Sequence, residues 1–422
     1  MPRLFSLVLA VLSLASCSQN TGGAFSPVSP SPVSPVQPAQ LDQSALRAIH
    51  SAALGATLSH TTTGNLDLTW GAGAPMRQVD GPYTNAVPEA DALALQAIRA
   101  AHAGPETAVA AATVDAFKQL DGPRGGAYLL LADAAHPPPS GPPAPADPAP
   151  AACPTPAATA ARPECLRRQV SDGLLAAWYA PDTRMFFKVG ETSTIYRPVD
   201  AIAVGCALVV AGFQERNEQK IQAGNQIVQR EMRTDLDDHF GLLAGLVTAT
   251  AQGGREVTDH VGRLADQAGA AEALLEAFDF SREQPYMSYA QRLLQPLLAE
   301  QVPLRAPSGG YITAFDLQTS GPGDHLVSDV VATLLVLQAA RHYDRDDGGR
   351  FARLEETAAA ALAAVLSTDR GRAGDTGGGL PAIVPEAGVG VRSGLATALA
   401  AVVLADVSRD LGGAASPSPG SG

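Results

Sequence analysis

The sequence predicts a mostly helical fold in which pairs of helices repeat, as in a helical toroid or solenoid. Two observations favour this class. Strongly apolar helical segments alternate with amphipathic ones. An inner layer of buried helices, packed against an outer layer with one face exposed to solvent, would produce this pattern. Similar short segments also precede several of the apolar helices. Counted over the whole chain, about twelve helices, or roughly six hairpins, are expected.

The predicted helices fall into two groups by the residues on their surfaces. The apolar segments are residues 200–213, 237–251, 327–343 and 392–407. The amphipathic segments are residues 217–232, 255–277, 282–300 and 350–366. Four further helices are expected before them, at residues 42–54, 89–103, 106–120 and 165–179.

The segments that lead into apolar helices share charged residues and extended neighbours. They read YRPVD at 196–200, DLDDH at 235–239, DHLVSD at 324–329 and VRS at 391–393. Two of them follow extended pairs, at 186–196 and 311–323, and these predict short β-hairpins at one end of the helices. Asp is a preferred N-cap residue, so capping is the simplest role for Asp200, Asp238 and Asp329.

The N-terminus has the pattern of an export signal. Arg3 precedes an apolar run at 4–15, which is short for a bilayer span. The run ends in Leu-Ala-Ser-Cys at 14–17, which resembles the lipobox of bacterial lipoproteins. That resemblance implies lipidation at Cys17 and an exported protein anchored to the membrane of the cell envelope. In Gram-negative lipoproteins an Asp directly after the Cys favours retention in the inner membrane. This chain has Ser18 at that position, so the resemblance favours the outer membrane. An ordinary signal peptide is the alternative.

Composition divides the remainder into segments. Residues 18–40 are rich in Pro and Ser and predict an extended tether. Residues 41–410 are expected to form the toroid domain, and 411–422 a disordered tail. The Pro/Ala-rich stretch at 136–162 is expected to be an insertion, with a domain linker as the alternative. Cys153 and Cys165 bracket part of it and could pair in an oxidising compartment, whereas Cys206 lies in an apolar run and predicts a buried thiol.

The stretch GGYITAFDLQTSGPGDHLVSDVVATLL at 309–335 resembles the strand-to-inner-helix segments of α/α toroids. This six-hairpin architecture occurs in glycoside hydrolases, sugar epimerases and polysaccharide lyases. The resemblance implies a funnel whose mouth is lined by such segments. It is a likeness of architecture, and no catalytic signature of one family matches the chain. An α-solenoid is the structural alternative.

Acidic residues at the predicted mouth are the candidates for catalysis. A glycosidase needs one carboxyl group as acid and another as base or nucleophile. Asp237 or Asp238 with Asp324 is the predicted pair, and His325, beside Asp324, could relay a proton.

Substrate contacts are expected from aromatic and polar residues of the same segments. Aromatic rings stack on sugar faces, and the predicted contacts are Tyr83, Tyr196, Arg197, Asp200, His239 and Tyr311. The acids at 235–238 lack the Gly and distal Glu of an EF-hand loop, so neither a metal nor a cofactor is predicted.

A formal net charge of −13 disfavours a nucleic-acid partner. The sequence therefore predicts a lipid-anchored, carbohydrate-active domain, either a glycoside hydrolase or a polysaccharide lyase. The alternative is a non-catalytic glycan-binding or structural lipoprotein of the envelope.

Overall fold

The computed structural model describes residues 43–60, 127, 130–131, 163–179, 193–236, 240–250, 254–298, 304–322, 327–373, 379–385, 390 and 392–413. Its helices in these ranges are α1 (Gln43–His60), α2 (Pro163–Trp178), α3 (Pro198–Glu215), α4 (Glu218–Thr234), α5 (Leu264–Ser281), α6 (Gln284–Leu298), α7 (Val330–Asp347), α8 (Ala352–Ala373) and α9 (Gly394–Gly413).

The described helices form two layers. Helices α3, α5, α7 and α9 pack side by side, and each is backed by an outer partner: α4, α6, α8 and α1 respectively. The N-terminal helix α1 thus packs against the C-terminal helix α9. The inner helix α3 is buried along most of its length, as its apolar sequence predicts. This arrangement agrees with the predicted inner layer backed by amphipathic helices.

Ten short strands occur in the described part of the chain, all in connections that lead from an outer helix to the next inner helix. They are β1 (Ser193–Tyr196), β2 (Leu246–Thr250), β3 (Arg255–Asp259), β4 (Val261–Arg263), β5 (Ala314–Asp316), β6 (Gly321–Pro322), β7 (Ser328–Asp329), β8 (Leu380–Pro381), β9 (Ile383–Val384) and β10 (Arg392–Ser393). We call this end of the helices the strand end and the opposite end, with its short helix-to-helix turns, the turn end.

Antiparallel pairing joins connections that are distant in sequence. The sheets have the orders β1-β2-β3, β4-β5-β6, β7-β9 and β8-β10. Thr194, for example, lies opposite Ala249, and Ser328 lies opposite Val384. Three pairings, β1 with β2, β4 with β5 and β7 with β9, join the connection before one inner helix to a later connection, so the starts of neighbouring inner helices are held close together. The other pairings lie within one connection.

Helix α7 shows how the local sequence sets the ends of an inner helix. Its N-cap is Asp329, whose side chain accepts a hydrogen bond from the Ala332 amide at 2.9 Å. Its C-cap is Gly348, with a φ of 75°, a left-handed conformation that glycine adopts without strain. The predicted capping role of Asp329 is therefore confirmed.

Helix α3 is the described helix that is long and apolar enough to cross a membrane by length and composition. It begins with Pro198 at its first turn, where the missing amide hydrogen bond costs nothing. Within its most apolar window 78% of the residues are buried inside the protein, against α2, α4 and α5. Its apolar character is that of a core helix.

Two predicted helices are wrong in this region. The apolar stretch predicted as a helix at 237–251 contains strand β2 from Leu246, and the helix predicted at 255–277 begins only at Leu264, after β3 and β4. Short apolar runs fit a strand or a buried helix equally well. Here the strand conformation is the stable one, because β2 pairs with both β1 and β3 and is the central strand of a sheet. The segment at 235–239 is therefore not a direct helix entry.

Several predictions fall outside the described residues. They are the signal peptide and tether at 1–40, the helices at 89–103 and 106–120, the insertion at 136–162, Cys153 and the end of the tail after Gly413. Helix α9 itself continues to Gly413, slightly beyond the predicted domain boundary at 410. The buried free thiol predicted at Cys206 is confirmed.

A buried lysine joins three helices at the turn end. Lys220, on α4, is fully buried, and its Nζ lies 2.6 Å from Oε2 of Glu215 and 2.7 Å from Oδ1 of Asp172. The same ammonium donates a hydrogen bond of 2.7 Å to Oγ of Ser171. Because a buried charge is costly unless it is paired, this network fixes α2, α3 and α4 relative to one another.

Close helix packing leads to a first prediction. A Cβ atom at Gly224 would collide with the carbonyl oxygen of Gly205, because α3 and α4 approach closely there. We expect Gly224→Ala to lower the free energy of unfolding by about 1–3 kcal/mol, measured by chemical denaturation. The matched control is Gly55→Ala on α1, where nothing lies within 4 Å. It should be neutral or stabilising by about 0.5–1 kcal/mol, and equal losses in both variants would contradict the packing argument.

Candidate functional site

The first turns of neighbouring inner helices bring two carboxylates and a guanidinium together at the strand end. We call Arg197, Asp200 and Asp266 the mouth cluster. Nη1 of Arg197 lies 3.8 Å from Oδ1 of Asp200, and Nη2 is in direct contact with Oδ1 of Asp266. The three side chains are 12–14% exposed, so they are largely buried but keep access to solvent.

Local structure positions each member of the mouth cluster. Arg197 directly follows β1 and is the N-cap residue of α3, while Asp200 is in the first turn of that helix. Asp266 occupies the first turn of α5. Both carboxyl groups lie at the N-terminal ends of their helices, beside the Arg197 guanidinium. The cluster therefore places two groups that can exchange protons around one fixed cation.

Unsatisfied polar atoms are found at the start of α5. Oε1 of Gln267 and Oγ1 of Thr313 are buried and have no hydrogen-bond partner among the described residues. Nε2 of Gln267 donates to the carbonyl of Leu243 at 3.1 Å, and the Thr313 carbonyl accepts from the Leu264 amide at 3.1 Å. A buried polar atom without a partner is destabilising, so a water or a ligand hydroxyl would be stabilised at either atom.

Tyr196 does not present its ring to an open cleft, contrary to the prediction. It is 6% exposed, and its hydroxyl donates to Oδ2 of Asp235 at 2.8 Å. The guanidinium of Arg255 covers the ring at 5.3 Å and also contacts Asp235 and Glu231. Burial raises the pKa of both carboxyl groups and lowers the pKa of Arg255 to about 10. Tyr196 therefore belongs to a buried ionic network at the C-terminal end of the outer helix α4.

Tyr311 is also buried, and its predicted role in stacking on a sugar does not fit this position. Its hydroxyl accepts a hydrogen bond from Arg305 at 3.1 Å, and burial raises its pKa to about 12. Its carbonyl accepts from the Asp329 amide at 2.8 Å, and its amide donates to Oγ1 of Thr333 at 3.3 Å. The residue therefore anchors the strand-end connection to the start of α7.

Seven predicted residues lie outside the described part of the chain. They are Cys17, Tyr83, Asp237, Asp238, His239, Asp324 and His325. Their roles stay predictions. Of the predicted site residues that are described, Arg197 and Asp200 meet in the mouth cluster, while Tyr196 and Tyr311 are in the packing around the strand end.

The prediction from sequence missed Asp266. A signal for it exists: Arg197-Pro-Val-Asp200 and Arg263-Leu-Ala-Asp266 have the same Arg-x-x-Asp spacing at the start of α3 and α5. Because a helix was predicted from residue 255, the second copy was placed inside a helix instead of at its start.

A second group of titratable residues is found at the turn end, between α5 and α7. It contains Glu272, Glu276, Asp279 and His342. Burial raises the pKa of Glu276 to about 8. Burial alone would lower the pKa of His342, but the charges and hydrogen bonds of the surrounding carboxylates raise it to about 10. These residues have the donor atoms that a metal ion would require, and they were not predicted as a site.

Comparisons with known proteins identify the architecture. No protein-family model matches the chain, and no curated protein matches it. Solved structures do. The unsaturated glucuronyl hydrolase of Bacillus sp. GL1 is similar with a TM-score of 0.59 and 12% identity, over 86% of this chain and 97% of that one.

Two further structures extend the likeness. The α-1,6-mannanase of Salegentibacter sp. HEL1_6 has a TM-score of 0.53 and 12% identity, over 87% of this chain and 99% of its own. A D-mannose isomerase has a TM-score of 0.58 and 12% identity, over 89% and 100%. At this identity the likeness shows the fold. The chain is therefore an α/α-toroid protein, as predicted, and its reaction has to be argued from the site.

Proposed function

We propose that this protein is a lipid-anchored enzyme of the cell envelope that hydrolyses glycosidic bonds at the strand end of its toroid. The mouth cluster carries the proposal, because it brings Asp200 and Asp266 from different inner helices to one guanidinium. Two carboxyl groups at one solvent-accessible position are what acid-base hydrolysis of a glycoside requires. The Cys17 lipobox supports the anchor.

The contacts favour different roles for the two carboxyl groups. Asp266 contacts Arg197 directly and fits the ionised base or nucleophile, whereas Asp200, 3.8 Å from the same guanidinium, fits the proton donor. The donor protonates the glycosidic oxygen, and the ionised partner activates water or attacks the anomeric carbon. Arg197 holds both carboxyl groups in place and stabilises the negative charge that they carry during the reaction.

The neighbouring acids at 237–238 and Asp324 remain candidates for the same chemistry. The variant of the Salegentibacter mannanase crystallised with α-1,6-mannotriose is described as inactive after two consecutive aspartates were replaced by asparagine. This chain also has consecutive aspartates, Asp237 and Asp238, in a connection that leads to an inner helix. They are the first alternative partners for Asp200 or Asp266.

Most of the described arginines at the strand end are paired with acids, but one is open to an anionic sugar. Four arginines of this end each contact an acidic side chain: Arg197 with Asp266, Arg255 with Asp235, Arg263 with Asp259 and Arg392 with Asp369. Arg305, also at this end, is exposed and contacts the hydroxyl of Tyr311, so its guanidinium could still attract a carboxylated sugar. Both neutral glycans and uronates are therefore candidate substrates.

A second candidate function is a glycan-binding or structural lipoprotein without catalysis. It is favoured by the burial of Tyr196 and Tyr311, which removes two expected aromatic contacts from the cleft, and by the capping role of Asp329. Tight binding of a glycan without turnover would identify it.

The test is a turnover screen of the purified full chain in detergent. Neutral mannans, glucans and galactans, and unsaturated uronyl disaccharides, are incubated with the chain and with its Asp200→Asn and Asp266→Asn variants, and reducing ends are measured. Release by the wild-type chain that both variants lose supports the proposal. No release from any substrate, or undiminished release by both variants, contradicts it. Incorporation of labelled palmitate into the chain but not into Cys17→Ser tests the anchor.

A further inference from the structure

Two neighbouring inner helices, α5 and α7, face each other with ligand-type side chains six or more residues along α5 from Asp266 of the mouth cluster. Glu272 and Glu276 are separated by one helical turn on α5, so they lie on the same face. His342 lies near the C-terminal end of α7, which packs against α5. We call these three residues the foot cluster. One donor atom from each lies within 4.8 Å of the others.

The spacing of these atoms fits a small ion. Oε1 of Glu272 is 3.0 Å from Nδ1 of His342. Two ligands of a tetrahedral Zn²⁺ with bonds of about 2.0–2.2 Å are about 3.3 Å apart. The existing separation is a hydrogen-bond distance and would have to open by only about 0.3 Å for the two atoms to bind one ion. A donor atom of Glu276 lies within 4.8 Å of both.

Glu276 gives an independent reason to expect a cation. Its side chain is 7% exposed, and its carboxyl group forms no hydrogen bond with another described residue. Oε2 of Glu272 is likewise buried without a hydrogen-bond partner. A buried carboxylate is strongly destabilising unless it is paired or coordinates a metal. Both unsatisfied groups belong to the same cluster, next to the ring of His342.

The surroundings of His342 orient it as a ligand. Its Nε2 lies 3.1 Å from Oδ2 of Asp279, which accepts a hydrogen bond of 2.6 Å from Arg345. A carboxylate that accepts the Nε2 proton leaves Nδ1 as the nitrogen that can bind an ion, as in many metal sites. In the metal-free chain Nδ1 donates a hydrogen bond of 3.0 Å to Oε1 of Glu272, and a bound ion would replace that proton.

The opposite ring nitrogen offers a weaker site. Its carboxylate neighbours, Asp279 and Asp346, are already paired with arginines: Arg345 contacts Asp279, and Arg282 lies 3.3 Å from Asp346. A metal ion there would compete with guanidinium groups. On the Nδ1 side, neither Glu272 nor Glu276 forms an ion pair with an arginine among the described residues, although Oε1 of Glu272 also accepts a hydrogen bond of 3.0 Å from Gln338. The Nδ1 side is therefore preferred.

We propose that Glu272, Glu276 and His342 bind one divalent transition-metal ion of the Zn²⁺ type, which joins α5 to α7 at the foot of the toroid. Binding of the ion displaces the acidic protons of His342 and Glu276, as metal binding to protonated ligands does. Two carboxylates and a neutral imidazole then balance the charge of a divalent ion, and imidazole nitrogen favours the Zn²⁺ class over Mg²⁺ or Ca²⁺. A water molecule completes a tetrahedral shell. The role is structural, and it is independent of the mouth cluster and of any glycosidase activity.

The competing explanation is a metal-free ion-pair network, in which a protonated His342 contacts Glu272 and Asp279. The two explanations differ in one measurable property. The network binds no metal with defined stoichiometry, whereas the foot cluster binds one ion per chain.

The experiment uses the full chain, purified with a tag that contains no histidine and stripped with a chelator. Equilibrium dialysis against buffered Zn²⁺ gives stoichiometry and affinity, and thermal melting is recorded with and without the ion. We expect one Zn²⁺ per chain and a higher melting temperature with the ion bound. Glu276→Gln and His342→Gln should weaken binding by at least about a hundredfold, more than the loss typical of an outer-shell change.

The matched control is Glu356→Gln, an exposed acid on the outer helix α8, which should bind Zn²⁺ like the wild-type chain. Far-ultraviolet circular dichroism checks that the ligand variants fold. Should either variant fail to fold, the absorption spectrum of the Co²⁺-loaded wild-type chain decides, because ordered nitrogen and oxygen ligands produce visible bands. A wild-type chain that binds less than a tenth of an equivalent, or variants that bind as tightly, would overturn the proposal.

Discussion

The Asp266→Asn variant is expected to lose glycan turnover by about a hundredfold to ten-thousandfold while keeping its fold. Asparagine preserves the shape of the side chain and a contact with Arg197, but it cannot act as a base or a nucleophile. The measurement is kcat and KM on a glycan that the wild-type chain cleaves. Because the loss concerns the chemical step, kcat should fall and KM should change little.

A structural role for Asp266 would give a different result. The pH profile of kcat/KM should lose its acidic limb in Asp266→Asn, since that limb reports the ionisation of the base. The control is Asp347→Asn at the turn end, where the carboxylate is 44% exposed and pairs with Arg350 at 3.6 Å. Wild-type kcat in a folded Asp266→Asn chain would exclude the mouth cluster as the catalytic pair and direct attention to Asp237, Asp238 and Asp324.

Local sequence was sufficient to predict most of the described helices. Runs of apolar residues predicted α3, α7 and α9, and polar faces predicted α4, α6 and α8, because each pattern reflects the burial of its own helix. The strand β2 could not be predicted in this way. Its residues Leu246–Thr250 are apolar or β-branched, and only pairing with β1, which comes about fifty residues earlier, makes them a strand.

The residues of the candidate sites were harder to predict than the helices, because they meet through contacts between segments that are far apart in the sequence. Arg197 and Asp200 are close in sequence and were predicted together, whereas Asp266 joins them only because α3 and α5 are neighbours. His342 and Glu272 are likewise separated by a complete hairpin, so no local pattern indicates that they meet. Buried tyrosines misled the prediction for another reason: an aromatic residue in a loop fits a cleft wall and a packed anchor equally well.

The buried lysine of α4 gives the largest expected effect on stability. We expect Lys220→Met to lower the free energy of unfolding by about 3–5 kcal/mol, measured by chemical denaturation. Most of this loss comes from Glu215, whose side chain is only 9% exposed and would be left as a buried charge without its ammonium partner. Asp172 is 59% exposed and remains hydrated, so its lost ion pair contributes little.

A double variant separates the lost ion pair from the lost packing. Adding Glu215→Gln to Lys220→Met removes the unpaired charge, so the double variant should be more stable than Lys220→Met alone, even though it carries an additional substitution. The control is Arg233→Met, an exposed cation on the same helix, with an expected change within about 0.5 kcal/mol. Glu215 also accepts a hydrogen bond of 2.9 Å from Oγ of Ser171. If Glu215→Gln lowered stability further in the Lys220→Met background, that hydrogen bond would outweigh the unpaired charge, and the junction of α2, α3 and α4 would not depend on the Lys220 ammonium.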